Sequence, residues 1–331
     1  MTEDPGRRLT PVVRLAPAKL NLTLSIVGTR SDGFHALHSV MVPLALADRL
    51  SLARSAGGRD SLHVVGADEG TSLDPAGYGS VIAGIEAARR IVGRGADAFP
   101  LAARLEKRIP VAAGLAGGSS DAAAAIDGAL AAWGADPPGP DRLRAAAAVG
   151  SDVPFFLAGG PALVEGRGEH VAPLHGLHGS PGVVLVTPVI AVSTPDVFAA
   201  FDAIRHGGDG AVRMSSAHLA EELRAGLTAD NLVARAGVLA SANDLLPATA
   251  LVVPALVPFK RALSRLLARP IGLSGSGPTL WALYPSGTEA TAAAETVRSA
   301  LADGSLVGPG AAQPFVCATI IVGHRQEGTA P

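Results

Sequence analysis

The sequence predicts a two-domain protein of the α+β class. Its 331 residues are 48% hydrophobic and 17% charged, which describes a core-forming chain too long for one small domain. Segments in which apolar and polar residues alternate are interspersed with segments of helical periodicity. Hairpins mixed with helices in both halves favour α+β layers over a regular doubly wound parallel sheet.

The first half begins with strands. Alternation through Leu20, Leu22, Leu24 and Ile26, and later through Val40, Val42, Leu44 and Leu46, predicts antiparallel strands joined by a turn over residues 30–33. The spacing then predicts a helix over 78–92, a strand over 101–105, a helix over 118–133, a helix over 141–149 and a strand over 162–164. Gly134 and the pair Pro137-Pro138 end the alanine-rich helix.

The second half begins after an aperiodic stretch rich in glycine, histidine and proline, residues 173–182, where we place the domain boundary. The predicted domains are residues 1–175 and residues 176–331. Beyond the boundary the patterns predict strands over 183–187, 279–284 and 315–322, a short element over 271–274, and helices over 194–204, 217–226, 259–268 and 289–302.

Charge and composition exclude several classes of protein. The 27 Lys and Arg residues nearly balance 29 Asp and Glu, and a net charge of −2 gives no chain-wide reason to bind nucleic acid or a membrane surface. The single cysteine, Cys317, excludes an intramolecular disulfide, and no segment has the pattern of a signal peptide or a membrane span. We expect a cytoplasmic protein, with disorder at the termini and over residues 207–210.

The most informative segment runs from Pro110 to Asp121 and reads PVAAGLAGGSSD. It follows a predicted strand and opens a predicted helix, so its glycines let the backbone approach a ligand while N–H groups at the helix start point outward. This arrangement predicts anion binding, although the spacing fits neither a Walker loop nor the dinucleotide-binding fingerprint. The alternative is an ordinary helix start, capped by Ser119 or Ser120, with Asp121 favourable to the helix dipole.

Three further segments place polar residues in apolar surroundings. Lys19 and Asn21 alternate with leucines in a strand, so both lie on one face and would line a cleft, unless that face is simply solvated. Asp152 lies in GSDVP, for which the alternative is a turn that ends a helix. Residues 273–279, LSGSGPT, combine glycines and hydroxyls before a strand, for which the alternative is a tight interstrand turn.

Together these segments resemble the superfamily of galactokinase, homoserine kinase, mevalonate kinase and phosphomevalonate kinase over nearly the whole chain. Seven segments narrow the resemblance to the 4-diphosphocytidyl-2-C-methyl-D-erythritol kinase family: PAKLNLTL from Pro17, RSDGFH from Arg30, LEKRIP from Leu105, GSDVPF from Gly150, EGRGE from Glu165, NDL from Asn243 and SGSGPT from Ser274. The resemblance implies an N-terminal ribosomal-protein-S5-like domain, which would bind ATP and carry catalysis, a C-terminal ferredoxin-like α+β domain and an active site in the cleft between them.

The resemblance also implies an activity. This is the ATP-dependent phosphorylation of the 2-hydroxyl of 4-(cytidine 5'-diphospho)-2-C-methyl-D-erythritol, giving the 2-phosphate and ADP in non-mevalonate isoprenoid biosynthesis. Its catalytic pair falls on Lys19 and Asp152, with Asp152 as general base. Mg²⁺ is the implied cofactor beside ATP, without ligands that the sequence identifies. The implied ATP-binding residues are Lys107, Pro110, Val111, Ala112, Ala113, Gly114, Leu115, Ala116, Gly117, Gly118, Ser119 and Ser120. The implied substrate-binding residues are Asn21, Phe34, His35, Phe198, Gly275, Ser276 and Gly277.

The chain departs from the family pattern at several of these positions. Phe34 stands where the family usually has tyrosine, which keeps a ring for stacking on the base and loses a hydroxyl. Alanines at 113 and 116, where glycine is usual, predict backbone without positive φ. Asp121 replaces the common asparagine, and its charge would repel phosphate unless it faces away or helps to hold magnesium.

The chain has only three lysines. Lys19 is one of the implied catalytic pair. Lys107 resembles the family's lysine near the nucleotide, with a strand-end surface lysine as the alternative. We interpret Lys260, in a predicted helix, as solvated.

Two other functions remain open. A kinase of the same superfamily would act on another small alcohol such as homoserine, mevalonate or a sugar, but it would not need the pair Phe34-His35. A nucleotide-binding regulator on the same scaffold would not need Lys19 and Asp152. In each case we expect a small-molecule ligand, no nucleic acid or membrane partner, and a monomer or homodimer.

Overall fold

The structure is a computed structural model that describes residues 10–66, 72–73, 78–93, 99–204, 210–310 and 312–323. The chain termini and residues 207–209, for which disorder is expected, lie outside these ranges. The chain forms two compact units that are interleaved in sequence. Unit 1 comprises the described parts of Met1–Pro17, Ala47–Ile109 and Gly117–Leu157, and unit 2 those of Ala18–Leu46, Pro110–Ala116 and Ala158–Pro331. The predicted domains 1–175 and 176–331 stay a prediction.

Secondary structure alternates along the described chain. The strands are β1 (Val12–Asn21), β2 (Ser25–Thr29), β3 (His35–Arg54), β4 (Ser61–Val65), β5 (Ser72–Leu73), β6 (Leu101–Glu106), β7 (Ala162–Gly166), β8 (His170–Pro173), β9 (Leu177–His178), β10 (Gly182–Thr187), β11 (Leu227–Thr228), β12 (Gly272–Leu273), β13 (Leu280–Tyr284) and β14 (Phe315–Ile320). The helices are α1 (Gly79–Val92), α2 (Gly117–Ala132), α3 (Gly139–Val149), α4 (Val153–Leu157), α5 (Thr194–Ile204), α6 (Ala211–Ala225), α7 (Ala229–Ala234), α8 (Ala236–Leu239), α9 (Leu246–Val252), α10 (Leu256–Leu267) and α11 (Gly287–Ala302).

Unit 1 packs helices against a mixed sheet. The second half of β3 pairs antiparallel with β6, from Arg49↔Glu106 to Arg54↔Leu101, and β4 pairs parallel with β6 on the other side. The alternating burial of β6 sends its leucines into a core shared with the small side chains of α1 and α2. Gly84 lets these two helices approach closely, because a Cβ there would lie 2.5 Å from the carbonyl oxygen of Ala122.

Unit 2 contains a second core. The first half of β3 pairs antiparallel with β2 and β7, and β10 lies between β13 and β14 in a four-stranded antiparallel sheet. Helices α10 and α11 cover this sheet with the buried Phe259, Leu263, Ala294 and Val297. A smaller cluster joins β2 to α5 and α9.

The helical patterns predicted most of the helices correctly. Helices α1, α2, α3, α5, α10 and α11 are confirmed to within three residues at each end, whereas α6 begins six residues before its prediction. The turn after β2 is confirmed, with the N–H of Gly33 donating to the carbonyl of Arg30 at 3.1 Å. The strand predicted through Ile26 is two strands, because β1 ends at Asn21 and β2 begins at Ser25. Among the described residues, no helix is long and apolar enough to cross a membrane.

Candidate active site

The glycine loop of unit 2, residues 110–116, is tied to two other segments of the same unit. The N–H of Lys19 donates to the carbonyl of Leu115 at 3.1 Å, and the N–H of Thr279 donates to the carbonyl of Ala113 at 3.3 Å. The hydroxyl of Ser274 donates to the carbonyl of Gly114 at 2.9 Å. The structure therefore brings three of the predicted segments together.

Gly114 is required where this loop meets residues 274–277. Its φ is +74°, and a Cβ there would lie 2.5 Å from the carbonyl oxygen of Ser274 and 2.8 Å from that of Gly277. Ala112 and Ala116 also have positive φ, +54° in each case. The expectation that Ala116 needs no positive φ is therefore wrong, while for Ala113 it is confirmed. A left-handed conformation costs an alanine about 1–2 kcal/mol. The hydrogen bonds that the carbonyls of Ala113 and Leu115 accept fix the backbone between Ala112 and Ala116.

Helix α2 begins in unit 1 directly after the loop. Gly117 lies beside Lys107, because a Cβ at Gly117 would come within 3.4 Å of Nζ of that lysine. The Oγ of Ser120 is buried and has no hydrogen-bond partner among the described residues. Ser120 therefore does not cap the helix, and its hydroxyl is available to a ligand that binds at this end of α2.

A buried ion cluster lies beside the start of α2 in unit 1. Nζ of Lys107 donates to Oδ2 of Asp121 at 2.8 Å and also to a carboxylate oxygen of Asp48, and both aspartates are fully buried. Burial raises the pKa of Asp121 to about 7, against the opposing effect of Lys107. Burial disfavours the charge of Lys107, but Asp121 and Asp48 outweigh it and raise the pKa of the lysine.

Asp48 also belongs to this cluster, although no sequence pattern predicts it. Besides the lysine, its Oδ1 accepts the backbone N–H groups of Arg108 at 2.5 Å and Ile109 at 2.8 Å. It therefore fixes the backbone that leads from β6 to the glycine loop. Asp48 lies in an alternating strand and is 59 residues from Lys107 along the chain, so no local signal points to it.

The three lysines have different environments. Lys19 and Lys107 are buried, and the alternative of a surface lysine at 107 is wrong. Lys260 in α10 is half-buried, and burial lowers its pKa, so its prediction as a solvated side chain is also wrong. Lys260 lies on the same helix as Phe259 and Leu263, whose side chains enter the core, so its aliphatic stem is partly covered.

Lys19 and Asn21 lie on one face of β1, as the alternation predicts. Nζ of Lys19 donates to Oδ1 of Asn21, and the two side chains are only 5% and 2% exposed, so the alternative of a solvated face is wrong. Gly275 lies next to them, since a Cβ there would come within 3.7 Å of Nζ of Lys19. The ammonium of Lys19 is therefore confined between its asparagine partner and the glycine-rich turn.

The turn over residues 274–279 connects β12 to β13, so it is an interstrand turn that also packs on the glycine loop. Asn243 fixes it, because its Nδ2 donates to the carbonyls of Leu273 at 3.1 Å and Gly275 at 2.9 Å. Oγ of Ser276 bonds the hydroxyl of Thr194 at 2.9 Å. Gly275 and Gly277 have positive φ, which explains why glycine occupies these two positions.

Asp152 lies in unit 1, in the turn between α3 and α4, and its side chain is half-buried. The N–H of Val153 donates to the carbonyl of Gly150 at 3.2 Å, which closes the turn. The turn ends α3, as the alternative interpretation has it, and it also starts α4, which the sequence did not predict.

An aromatic group in unit 2 contains the predicted nucleoside-binding residues. The rings of His35 and Phe198 stack with centroids 4.8 Å apart and 28° between their planes. Nε2 of His35 is hydrogen-bonded to Oδ1 of Asp202 at 2.8 Å. The ring of Phe34 is 51% exposed, and the guanidinium of Arg167 lies 4.8 Å from its centroid. A base held between Phe34 and Phe198 stays a prediction. Asp202 is a neighbour that no sequence pattern indicates, whereas Arg167 lies in the segment EGRGE, to which the sequence analysis gave no role.

Comparison with known proteins gives consistent results. The family of GHMP kinases N terminal domains matches residues 80–160. The chain is 37% identical over 285 residues to the 4-diphosphocytidyl-2-C-methyl-D-erythritol kinase of Rhizobium meliloti (strain 1021), covering 85% of this chain and 89% of that protein. It is 39% identical over 276 residues to the protein of the same name from Pelotomaculum thermopropionicum, covering 82% and 88%.

Solved structures agree with these relatives. A crystal structure of 4-(cytidine 5'-diphospho)-2C-methyl-D-erythritol kinase matches with a TM-score of 0.65 and 29% identity over 94% of this chain and all of that one. A homoserine kinase from Cytophaga hutchinsonii has the same TM-score at 17% identity over 98% of each chain, which shows the fold alone. The predicted α+β kinase fold is confirmed, and the chain belongs to the 4-diphosphocytidyl-2-C-methyl-D-erythritol kinase family within the GHMP kinases.

Proposed function

We propose that this chain transfers the γ-phosphoryl group of ATP to the 2-hydroxyl of 4-(cytidine 5'-diphospho)-2-C-methyl-D-erythritol, in non-mevalonate isoprenoid biosynthesis. Membership of the family supports ATP-dependent phosphoryl transfer to this small molecule. The single observation that carries the proposal beyond the family is the confinement of the buried Lys19 by Asn21 and the turn at Gly275. A buried ammonium beside a glycine loop is suited to stabilise the charge that spreads over a transferring phosphoryl group.

Asp152 is the proposed general base. It would accept the proton of the 2-hydroxyl as that oxygen attacks the γ-phosphorus and the bond to ADP breaks, which gives the 2-phosphate and ADP. A positioned base is commonly worth about 10² to 10⁴ in rate. Lys19 would stabilise the developing alkoxide.

The nucleotide phosphates would bind to the glycine loop. Its residues 110–116 are held by Lys19, Ser274 and Thr279, and the loop continues into α2, whose first N–H groups face incoming anions. Lys107 is paired with two carboxylates, so we propose that it orders the start of α2 rather than neutralising phosphate. The turn that contains Gly275, Ser276 and Gly277 would contact the reacting groups on the side away from the glycine loop.

Mg²⁺ fits this arrangement as an ion that arrives with ATP. Among the described residues no cluster of three metal-ligating side chains exists, and Mg²⁺ in kinases is usually held by substrate phosphates and one or two protein oxygens. The buried, unpartnered hydroxyl of Ser120 is the protein oxygen that fits this role. When bound, the ion would neutralise phosphate charge.

The cytidine end of the substrate would bind at the aromatic group of unit 2. Phe34 and Phe198 offer ring faces for stacking, and the contact of Asp202 with Nε2 of His35 leaves Nδ1 for a hydrogen bond with the base. We further propose a cytoplasmic enzyme that acts as a monomer or homodimer.

A coupled ADP-release assay with Mg-ATP and the cytidine-diphosphate methylerythritol tests the proposal. We expect turnover that depends on this substrate, loss of kcat in Asp152→Asn, and competition by CMP. Turnover with homoserine, mevalonate or a sugar instead, without competition by CMP, would identify another kinase of the fold. Unchanged biological activity in Asp152→Asn with normal ATP binding would favour the regulator.

A further inference from the structure

A buried chain of hydrogen bonds leads away from Lys19 within unit 2. Nζ of Lys19 donates to Oδ1 of Asn21, and Nδ2 of Asn21 donates to Oγ of Ser39 at 2.9 Å. The hydroxyl of Ser39 donates in turn to the backbone carbonyl of Thr23 at 2.6 Å. Ser39 is fully buried and Asn21 is 2% exposed, so their hydrogen bond is shielded from water.

The donor-to-acceptor direction of these hydrogen bonds is fixed at Ser39, the residue farthest from Lys19 whose side chain takes part. A carbonyl oxygen only accepts, so the one O–H of Ser39 is committed to Thr23. Oγ of Ser39 can then only accept from its other neighbour, which requires the NH₂ group of Asn21 on that side. The amide oxygen of Asn21 is thereby turned toward Lys19, whose ammonium has donors and no acceptor.

We propose that Ser39 is a positioning residue for Lys19, acting through the orientation of the Asn21 amide. The inference rests on the proposed role of Lys19 in phosphoryl transfer. Without the hydroxyl of Ser39, only the ammonium of Lys19 orients the amide, so the flipped form, which presents NH₂ to the ammonium, is less strongly disfavoured. Two donors facing each other repel, so the ammonium leaves its place beside Gly275 in that form.

A second buried serine provides a matched control. Ser216 on α6 is as fully buried as Ser39, and its Oγ accepts from the hydroxyl of Thr23 at 2.8 Å and bonds Nδ1 of His38 at 2.9 Å. It therefore contacts the side chain of Thr23, whereas Ser39 contacts the carbonyl. Ser216→Ala removes a buried hydroxyl of the same kind without releasing the amide of Asn21.

The test compares the steady-state kinetics of the full-length Ser39→Ala, Ser39→Thr and Ser216→Ala variants. We expect Ser39→Ala to lower kcat about tenfold or more, the range for losing a charge-assisted hydrogen bond such as that between Lys19 and Asn21, with both KM values within about twofold. Ser39→Thr keeps the hydroxyl on a strand and should restore kcat to within about threefold. Ser216→Ala should leave kcat within about twofold. Equal losses of kcat in Ser39→Ala and Ser216→Ala would overturn the proposal.

A second readout does not depend on activity. The side-chain amide of Asn21, assigned in ¹⁵N-labelled protein by its loss in Asn21→Ala, should shift in Ser39→Ala and stay in place in Ser216→Ala. An unmoved signal in Ser39→Ala would show that the serine does not orient the amide. If the wild type turns over no substrate, the proposed function fails and this signal alone decides the inference. The same amide signal of Asn21 decides the inference if Ser39→Thr does not fold.

Discussion

The buried carboxyl of Asp121 should make the stability of the protein depend on pH. Burial raises its pKa from 3.8 to about 7 in the folded state, while the unfolded chain keeps the ordinary value. Between these two pH values the folded state binds more protons than the unfolded state, so the free energy of unfolding falls as pH rises. Below pH 3.8 and above pH 7 this contribution is constant.

Asp121→Asn removes the titration and keeps an oxygen that accepts from Lys107. A pKa difference of one between the folded and unfolded states changes the free energy of unfolding by about 1.4 kcal/mol. Between pH 5 and pH 7, the titration of Asp121 therefore lowers the free energy of unfolding of the wild type by about 3 kcal/mol. The free energy of unfolding of the variant, relative to the wild type, should therefore rise by up to about 3 kcal/mol from pH 5 to pH 8. Asn also leaves one carboxylate, that of Asp48, opposite the lysine, so the cluster becomes neutral.

Urea denaturation of both proteins at pH 5, 6, 7 and 8 measures this difference. Asp127→Asn, on the same helix and in a half-exposed ion pair with Arg142, is the control for replacing a carboxylate by an amide. The pH dependence specific to position 121 is the difference between the two variants. A difference between Asp121→Asn and wild type that changes by less than about 0.5 kcal/mol over this range would refute the reasoning.

Three further predictions follow from single contacts. Gly114→Ala places a Cβ 2.5 Å from the carbonyl oxygen of Ser274 at φ +74°, so it should lower thermal stability and weaken ATP binding, measured by calorimetry. In Asp48→Ala, the buried ammonium of Lys107 loses one of its two carboxylate partners, and the N–H groups of Arg108 and Ile109 lose their acceptor. This should lower the free energy of unfolding by about 3–5 kcal/mol, as denaturant unfolding would show. Asp202→Ala frees the ring of His35 and should raise KM for the cytidine substrate several-fold while KM for ATP stays unchanged, as steady-state kinetics would show.

Local periodicity predicted those parts of the site that depend on neighbours in sequence. Lys19 and Asn21 are two residues apart on a strand, and their contact follows from that spacing. Asp48 was missed because its partner Lys107 lies 59 residues away along the chain. Ser39 was missed because its partners Asn21 and Thr23 lie 18 and 16 residues away. Only the tertiary fold brings these residues together. The φ of Ala116 was also missed, since its conformation is imposed by the packing of the loop and not by the preference of alanine.

Buried polar groups in the candidate site fall into two kinds with different consequences. Asn21 and Ser39 have partners for their polar atoms, so the cost of burying them is recovered within the protein and the position of Lys19 is specified. At the start of α2, Oγ of Ser120 and Oδ1 of Asp121 are buried without a partner among the described residues. A buried polar atom in this state costs about 1–3 kcal/mol, which a bound ligand or ion that supplies the missing hydrogen bond or coordination recovers. Stability and ligand affinity are therefore coupled at this end of the helix, and ATP should raise the unfolding temperature of the wild type more than that of Ser120→Ala.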